Sequence, residues 1–380
     1  MPRIREVLPK WRLGRWPTGP HNSLTDVPGV LVHTQSLHSD EHSDTNTGVT
    51  TILPRKDWDK YSSFAGYFTF NGAGEMTSSH WVHETGILSS PIVLTTTSAI
   101  GDAYRGVLEY CYKHCRGEDG EMGLPILPCV AETFDGFLND QSLFAVTPAH
   151  IMEGIACASS DPVPEGNTGG GTGMICHRFK GGTGSSSRTV KGFDLNGDEK
   201  AYTVGVLVQA NYGSAETLHI GGVPVGQIIQ DENKAKEDLA RTPRKDGSII
   251  VVIATDCPLL PIQLQRLAKR ATVGLSKVGG YGNNTSGDIF LAFSTGNKIP
   301  HHEMSMGGGN MVNPYEPGPM QVSMSDNDTV NGLFEAVGDA TEEAIYNVLC
   351  MAESMTGYKG RHVDALDLDK VKRIVEPRLG

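Results

Sequence analysis

The stretch Ile249-Ile-Val-Val-Ile-Ala254 is six apolar residues in a row, five of them β-branched, set between Asp246-Gly247-Ser248 and Thr255-Asp256. β-Branched side chains are stiff and favour extended backbone, and a run without polar alternation suits a strand covered on both faces. A chain with such a strand must supply a layer on each side of its sheet. Related runs recur at Val30–Thr34, Gly66–Asn71, Ile92–Thr97, Thr203–Asn211 and Ile289–Ser294, several bounded by Gly, Asn or Asp. Helical spacing supplies the covering layers. After Asp256 and Pro258, the residues Leu264, Leu267, Ala268, Ala271 and Leu275 recur at intervals of three and four, and Gly279–Gly280 stops them. A second stripe runs from Leu333 through Ala340 and Val348 to Met355 and closes at Gly357, and Thr77–Thr85 reads as a short helix. The expected class is α/β, with sheets sandwiched between helical layers.

Composition narrows the function. At 380 residues the chain is long enough to bury a large core. Its 32 Lys and Arg against 44 Asp and Glu give a net charge of −12, which argues against a general nucleic-acid binder. No run approaches the roughly 18–20 apolar residues needed to span a bilayer. The basic N-terminus has no apolar stretch behind it, so it does not read as a secretory signal. Seven scattered cysteines, at 111, 115, 129, 157, 176, 257 and 350, fit reduced thiols in a cytoplasmic protein better than a disulfide framework. The charged stretch Asp231–Asp246 separates two halves and reads as an exposed connection of the kind where cleavage is best tolerated.

Several segments could carry chemistry. The glycine cluster of Glu165–His177, followed by Phe179–Arg188, lacks a Gly-Lys-Ser/Thr and a preceding strand, so a tight structural loop is favoured over a phosphate cradle. His80, His83 and Glu84, the His301-His302-Glu303 run and the Cys176–His177 pair lack the spacing of metal ligands, and no metal or other cofactor is expected. Asp246–Gly247 reads first as a turn into a buried strand. Its functional reading is that Ser248 attacks the Gly247 carbonyl and becomes a new N-terminus, with glycine tolerating an unusual backbone at the cleavage site. An α-amine, with an ordinary pKa of about 7.7–8.0, can serve as general base for its own hydroxyl. Beside it, Ser286-Gly287-Asp288 could offer a hydroxyl and a carboxylate, and Asn211 at the end of a strand could offer an amide N–H to an oxyanion.

Taken together the chain resembles the DmpA-type L-aminopeptidase/D-esterases and β-peptidyl aminopeptidases, relatives of ornithine acetyltransferase. The matching stretches, in family order, are Asn22–Val30, Thr47–Pro54, Asn71–Thr77, Val130–Gly136, Glu165–His177, Gln209–Gly213, Asp246–Asp256 and Asn283–Asp288. The resemblance implies an αββα four-layer sandwich in a single domain, self-cleaved into a large α chain, Met1–Gly247, and a small β chain, Ser248–Gly380. It implies Ser248 as nucleophile, Ser286 as helper hydroxyl, Asn211 as oxyanion donor and Glu132 as acceptor of the substrate's ammonium group. Asp288 matches a position that is Glu in β-peptide-cleaving members, and Phe134 one that is Tyr in some relatives. Further implications are short peptide, amide or ester substrates with a free N-terminus, no cofactor, and a homo-oligomer of αβ pairs. Alternatives are an acyltransferase or amide-oligomer hydrolase of the same fold, a binding protein whose chemistry has decayed, and, more distantly, an oxidoreductase built on the glycine loop. Acyl transfer of the ornithine acetyltransferase kind usually takes threonine as nucleophile, so Ser248 counts against it, and Phe134 best supports the decayed binding protein.

Overall fold

The computed structural model describes residues 1–38, 44–116, 120, 126–234, 247–301, 313 and 315–379. Its strands are β1 (Leu31–His38), β2 (Asn46–Leu53), β3 (Tyr61–Gly72), β4 (Ile87–Leu88), β5 (Ile92–Thr96) and β6 (Cys129–Thr133). They continue as β7 (Ile175–Cys176), β8 (Phe179–Lys180), β9 (Gly182–Phe193), β10 (Glu199–Asn211), β11 (Ser248–Thr255), β12 (Gly287–Pro300), β13 (Met355–Gly357) and β14 (Arg361–Val363). The helices are α1 (Ile4–Val7), α2 (Ser79–Thr85), α3 (Ile100–His114), α4 (Pro148–Cys157) and α5 (Val225–Lys234), then α6 (Pro261–Ala268), α7 (Ala271–Val278), α8 (Asn331–Met351) and α9 (Leu368–Val375).

A small sheet has the order β1-β2-β5-β6 and a large one the order β4-β3-β12-β11-β10-β9. β11 explains why its sequence is apolar throughout. Ile250, Val252 and Ala254 face a core shared with Leu94 and Ala131 of the small sheet. Ile249, Val251 and Ile253 face the other way, onto a core built with α6, α7 and α8. The outer face of the small sheet is covered by α3 and α4, where Val93 and Val130 meet Val107 and Ile151. The layers are therefore helix, sheet, sheet, helix. Each buried Val or Ile of β11 contributes about 1.5–3 kcal/mol, so one charge placed at Val252 would cost more than the strand's own hydrogen bonds restore.

Two of the expected helices are shorter than their stripes. The helix from Pro261 divides into α6 and α7, because Arg270 N–H and Val273 N–H bond three residues back, to Leu267 and Arg270, and tighten the turn. The helix of the Leu333–Met355 stripe, α8, stops at Met351, so Ala352 and Met355 fall outside it. There Asn167 ends it: its side chain donates to the Glu353 carbonyl and accepts from the Glu353 N–H. Residues 231–234 belong to α5, while 235–246, and His302 with Glu303, lie outside the described residues.

β9 was not foreseen. Its first half is Gly, Ser and Thr, and all of it is buried. α8 demands that: a Cβ on Gly184 would lie 2.1 Å from the Ala344 carbonyl oxygen.

Candidate active site

Register brings the motif residues together. Asn211, the last residue of β10, pairs with Ser248, the first of β11, and Ile249 pairs with Asp288 at the start of β12. Three neighbouring strand ends thus carry three polar side chains to one spot, all of them buried. The loop before β12 is pinned from β3, where the Asn71 side chain donates to the carbonyls of Asn283 and Ser286. That pinning sets Ser286 against the bond of interest: its hydroxyl donates to the Gly247 carbonyl and stands 2.6 Å from Asp288 Oδ1. Although one methylene shorter than Glu, Asp288 reaches Ser286. The Ser248 hydroxyl accepts from the Gly287 N–H at 3.1 Å.

Gly247 is required for room rather than for an unusual backbone. Its φ is outside the left-handed region, but a Cβ there would lie 1.6 Å from the Asn211 carbonyl oxygen and 2.9 Å from Asn211 Nδ2. The Asn211 carboxamide is held at both ends. Its Oδ1 accepts from the Ile175 N–H at 2.9 Å, and its Nδ2 donates to the Phe134 carbonyl at 2.8 Å. Turned over, it would set donor against donor and acceptor against acceptor, so the amide nitrogen is the end beside Gly247.

Glu132, next to last in β6, is buried and accepts from the Thr97 hydroxyl and the Glu75 N–H. Burial pushes its carboxyl pKa up, the two hydrogen bonds pull it back, and no cation stands within ion-pair distance among the described residues. A carboxylate kept in this way favours a cationic ligand. Phe134 is 56% exposed. Glu132, Phe134, Asn211 and Ser248 line one cavity of about 570 Å³.

Arg178 and Arg361 also line that cavity; no motif pointed to either of them, nor to the roles of the Thr97 hydroxyl and the Ile175 N–H. Arg361 is seated by the Gly136 and Phe137 carbonyls, at 3.3 Å each, with its guanidinium 5.1 Å from the Phe137 ring centroid. The glycine cluster is a tight structural turn. Its N–H groups from Gly169 and Gly170 donate to the Ser36 and Thr50 hydroxyls, and a Cβ on Gly170 would lie 2.0 Å from Gln209 Oε1. Those two backbone donors are spent within the protein rather than offered to a phosphate. His83 packs edge-on against Tyr67, and His301 bonds the Ser62 hydroxyl. Among the described residues no His, Cys, Asp and Glu side chains gather in a group able to hold a metal ion, and no helix is long and apolar enough to cross a membrane.

Comparison with known proteins agrees with this geometry. The family model for peptidase family S58 matches residues 22–363. A β-peptidyl aminopeptidase, BapA, of Sphingosinicella microcystinivorans is 41% identical over 372 residues, covering 94% of this chain and 88% of that protein. A protein of Pyrococcus horikoshii superposes with a TM-score of 0.85 at 36% identity over 99% of both chains. The L-aminopeptidase D-Ala-esterase/amidase of Ochrobactrum anthropi, described as a variant of the Ntn hydrolase fold, superposes with a TM-score of 0.83 at 37% identity over 100% of both. Eight motifs in family order, two sheets between helical layers and a match across nearly the whole chain lead to one assignment: the chain belongs to peptidase family S58 and is a hydrolase of the aminopeptidase kind.

Proposed function

We propose that the chain is made as a precursor, cuts its own Gly247–Ser248 bond, and then acts as a serine aminopeptidase on short peptides, amides or esters with a free N-terminus. One observation carries this reading. The Gly247 carbonyl rests on the Ser286 hydroxyl, with Asp288 behind it, while Ser248 opens the adjoining strand. A hydroxyl owns one hydrogen. That hydrogen is shared between the Gly247 carbonyl and Asp288 Oδ1, and it shifts toward the carbonyl oxygen as that oxygen becomes an alkoxide. Ser248 Oγ forms the new C–O bond, the C–N bond breaks, and the nitrogen takes up the proton that the hydroxyl gave away. Water then splits the ester, leaving the Gly247 carboxylate and a free Ser248 amine.

In the mature enzyme Glu132 binds the substrate's ammonium group and Ser248 Oγ attacks the first acyl carbon. The Asn211 N–H steadies the oxyanion, and the Ser248 amine carries the proton to the leaving group, with Ser286 and Asp288 orienting it. Phe134 packs as an apolar wall, and Arg178 and Arg361 suit the carboxylate of a short peptide. The β-peptidyl aminopeptidase relatives support substrates whose first residue is a β-amino acid. Unpaired thiols at all seven cysteines support a cytoplasmic setting, and the two chains would stay together in a homo-oligomer of αβ pairs.

The test is intact-mass measurement together with p-nitroaniline release from L-alanyl and β-alanyl anilides, wild type beside Ser248→Ala. Two polypeptides meeting at 247/248 and release by the wild type alone are expected. An active single chain refutes the mechanism.

A further inference from the structure

Lys180 lies in β8 opposite Ile175 of β7 and is fully buried. A buried ammonium ordinarily comes with a carboxylate, since its desolvation costs several kcal/mol. Among the described residues none stands within ion-pair distance of Lys180. Its Nζ donates instead to the Met174 carbonyl at 2.9 Å and the Gly181 carbonyl at 2.8 Å. The Met174 carbonyl and the Ile175 N–H belong to one planar peptide group, and that N–H donates to Asn211 Oδ1 at 2.9 Å. A line of hydrogen bonds therefore runs from a buried positive charge, through one backbone amide, into the side-chain amide beside Gly247. Each amide in such a line is polarised by the one before it, by about 10–30% per bond. Polarised in this direction, the Asn211 nitrogen becomes a better donor.

Resting on the aminopeptidase reading above, we infer that Lys180 is a positioning residue for the oxyanion step: through the Met174–Ile175 peptide it orients and polarises the Asn211 amide. The groups facing it are Asp135, which follows β6, and Cys176 of β7, while Asp364 supplies only a backbone carbonyl to the Lys180 N–H. Burial lowers the Lys180 pKa to about 7, against the opposing pull of Asp135 and Cys176. Its charge is present below that pH and is lost as pH rises through it.

The experiment is a double-mutant cycle on anilide hydrolysis with Lys180→Gln and Asn211→Ala, each confirmed as folded by thermal melting. Lys180→Gln should lower kcat about ten-fold with KM nearly unchanged. In the Asn211→Ala background the same change should alter kcat by less than about two-fold. Equal losses in both backgrounds, or no loss in the first, overturn the inference. If Lys180→Gln does not fold, Lys180→Met takes its place. If neither folds, pH profiles decide: wild-type kcat should carry an alkaline decline that Asn211→Ala lacks, and the same decline in both overturns it. A wild type inert on every anilide sinks the underlying aminopeptidase reading, whereas an active wild type with uncoupled Lys180 sinks this inference alone.

Discussion

Gly247→Ala is the smallest change that should stop maturation while leaving every named catalytic side chain in place. The added Cβ would fall 1.6 Å from the Asn211 carbonyl oxygen, 2.8 Å from its carbon and 2.9 Å from Nδ2. Ordinary contact between such atoms is about 3.5 Å, so residue 247 must retreat by roughly 2 Å. Asn211 cannot yield instead, since its backbone is in the β10–β11 ladder and its side chain is held at both ends. The Ser286 hydroxyl is within hydrogen-bonding reach of the Gly247 carbonyl only where that carbonyl now sits. A misplacement of about 1 Å can cost a hundred-fold in rate, so self-cleavage should slow by at least roughly that factor. The assay is a time course of freshly made precursor by intact mass, wild type against variant. Cleavage of Gly247→Ala at the wild-type rate would refute the argument that glycine is there for room and that Ser286 must touch the carbonyl.

Two further outcomes follow from buried charges. Burial raises the Glu132 pKa, so kcat/KM should rise with pH along an acid limb displaced above the ordinary glutamate range. Glu132→Gln should remove that limb and lower kcat/KM on the order of a hundred-fold, measured on the same anilides. In the helical core, the fully buried Glu343 takes charge-assisted bonds from Arg188 and Arg5. Burial opposes the charge, but the two guanidinium groups prevail and hold its pKa below the usual value. The stability it gives is present above the unfolded glutamate pKa and disappears as pH falls through the folded one. Glu343→Gln should cost about 3–5 kcal/mol in urea unfolding and flatten that acid-side loss; an unchanged midpoint would count against it.

The strands most readable from sequence are those whose environment forces a simple pattern. Ile249–Ala254 has a core on each side, so nothing polar interrupts it. β9 failed to announce itself for the opposite reason. It is buried but polar, because Gly184 must let α8 approach and Ser185 and Ser187 satisfy their hydroxyls on the Val206 carbonyl and Asp26. Periodicity tracks apolar residues and is blind to such a strand. The candidate site divides similarly. Ser248, Ser286, Asp288, Asn211, Glu132 and Phe134 lie in motifs that resemble a family. Thr97 acts on Glu132 through its hydroxyl, and Ile175 and Lys180 act on Asn211 through one backbone peptide, contacts between separate segments that no local pattern encodes.

β11 has β10 on one side and β12 on the other. Under the proposed cut at 247/248, these neighbours would come from two different polypeptides. Unfolding would then release two pieces, and reassembly would become a meeting in solution, slower when dilute and dependent on protein concentration. The tether that held the halves near each other, at a closure cost growing only with the logarithm of its length, would be gone. Maturation of this kind would act as a one-way door: a molecule denatured after the cut would have lost the route by which it first folded.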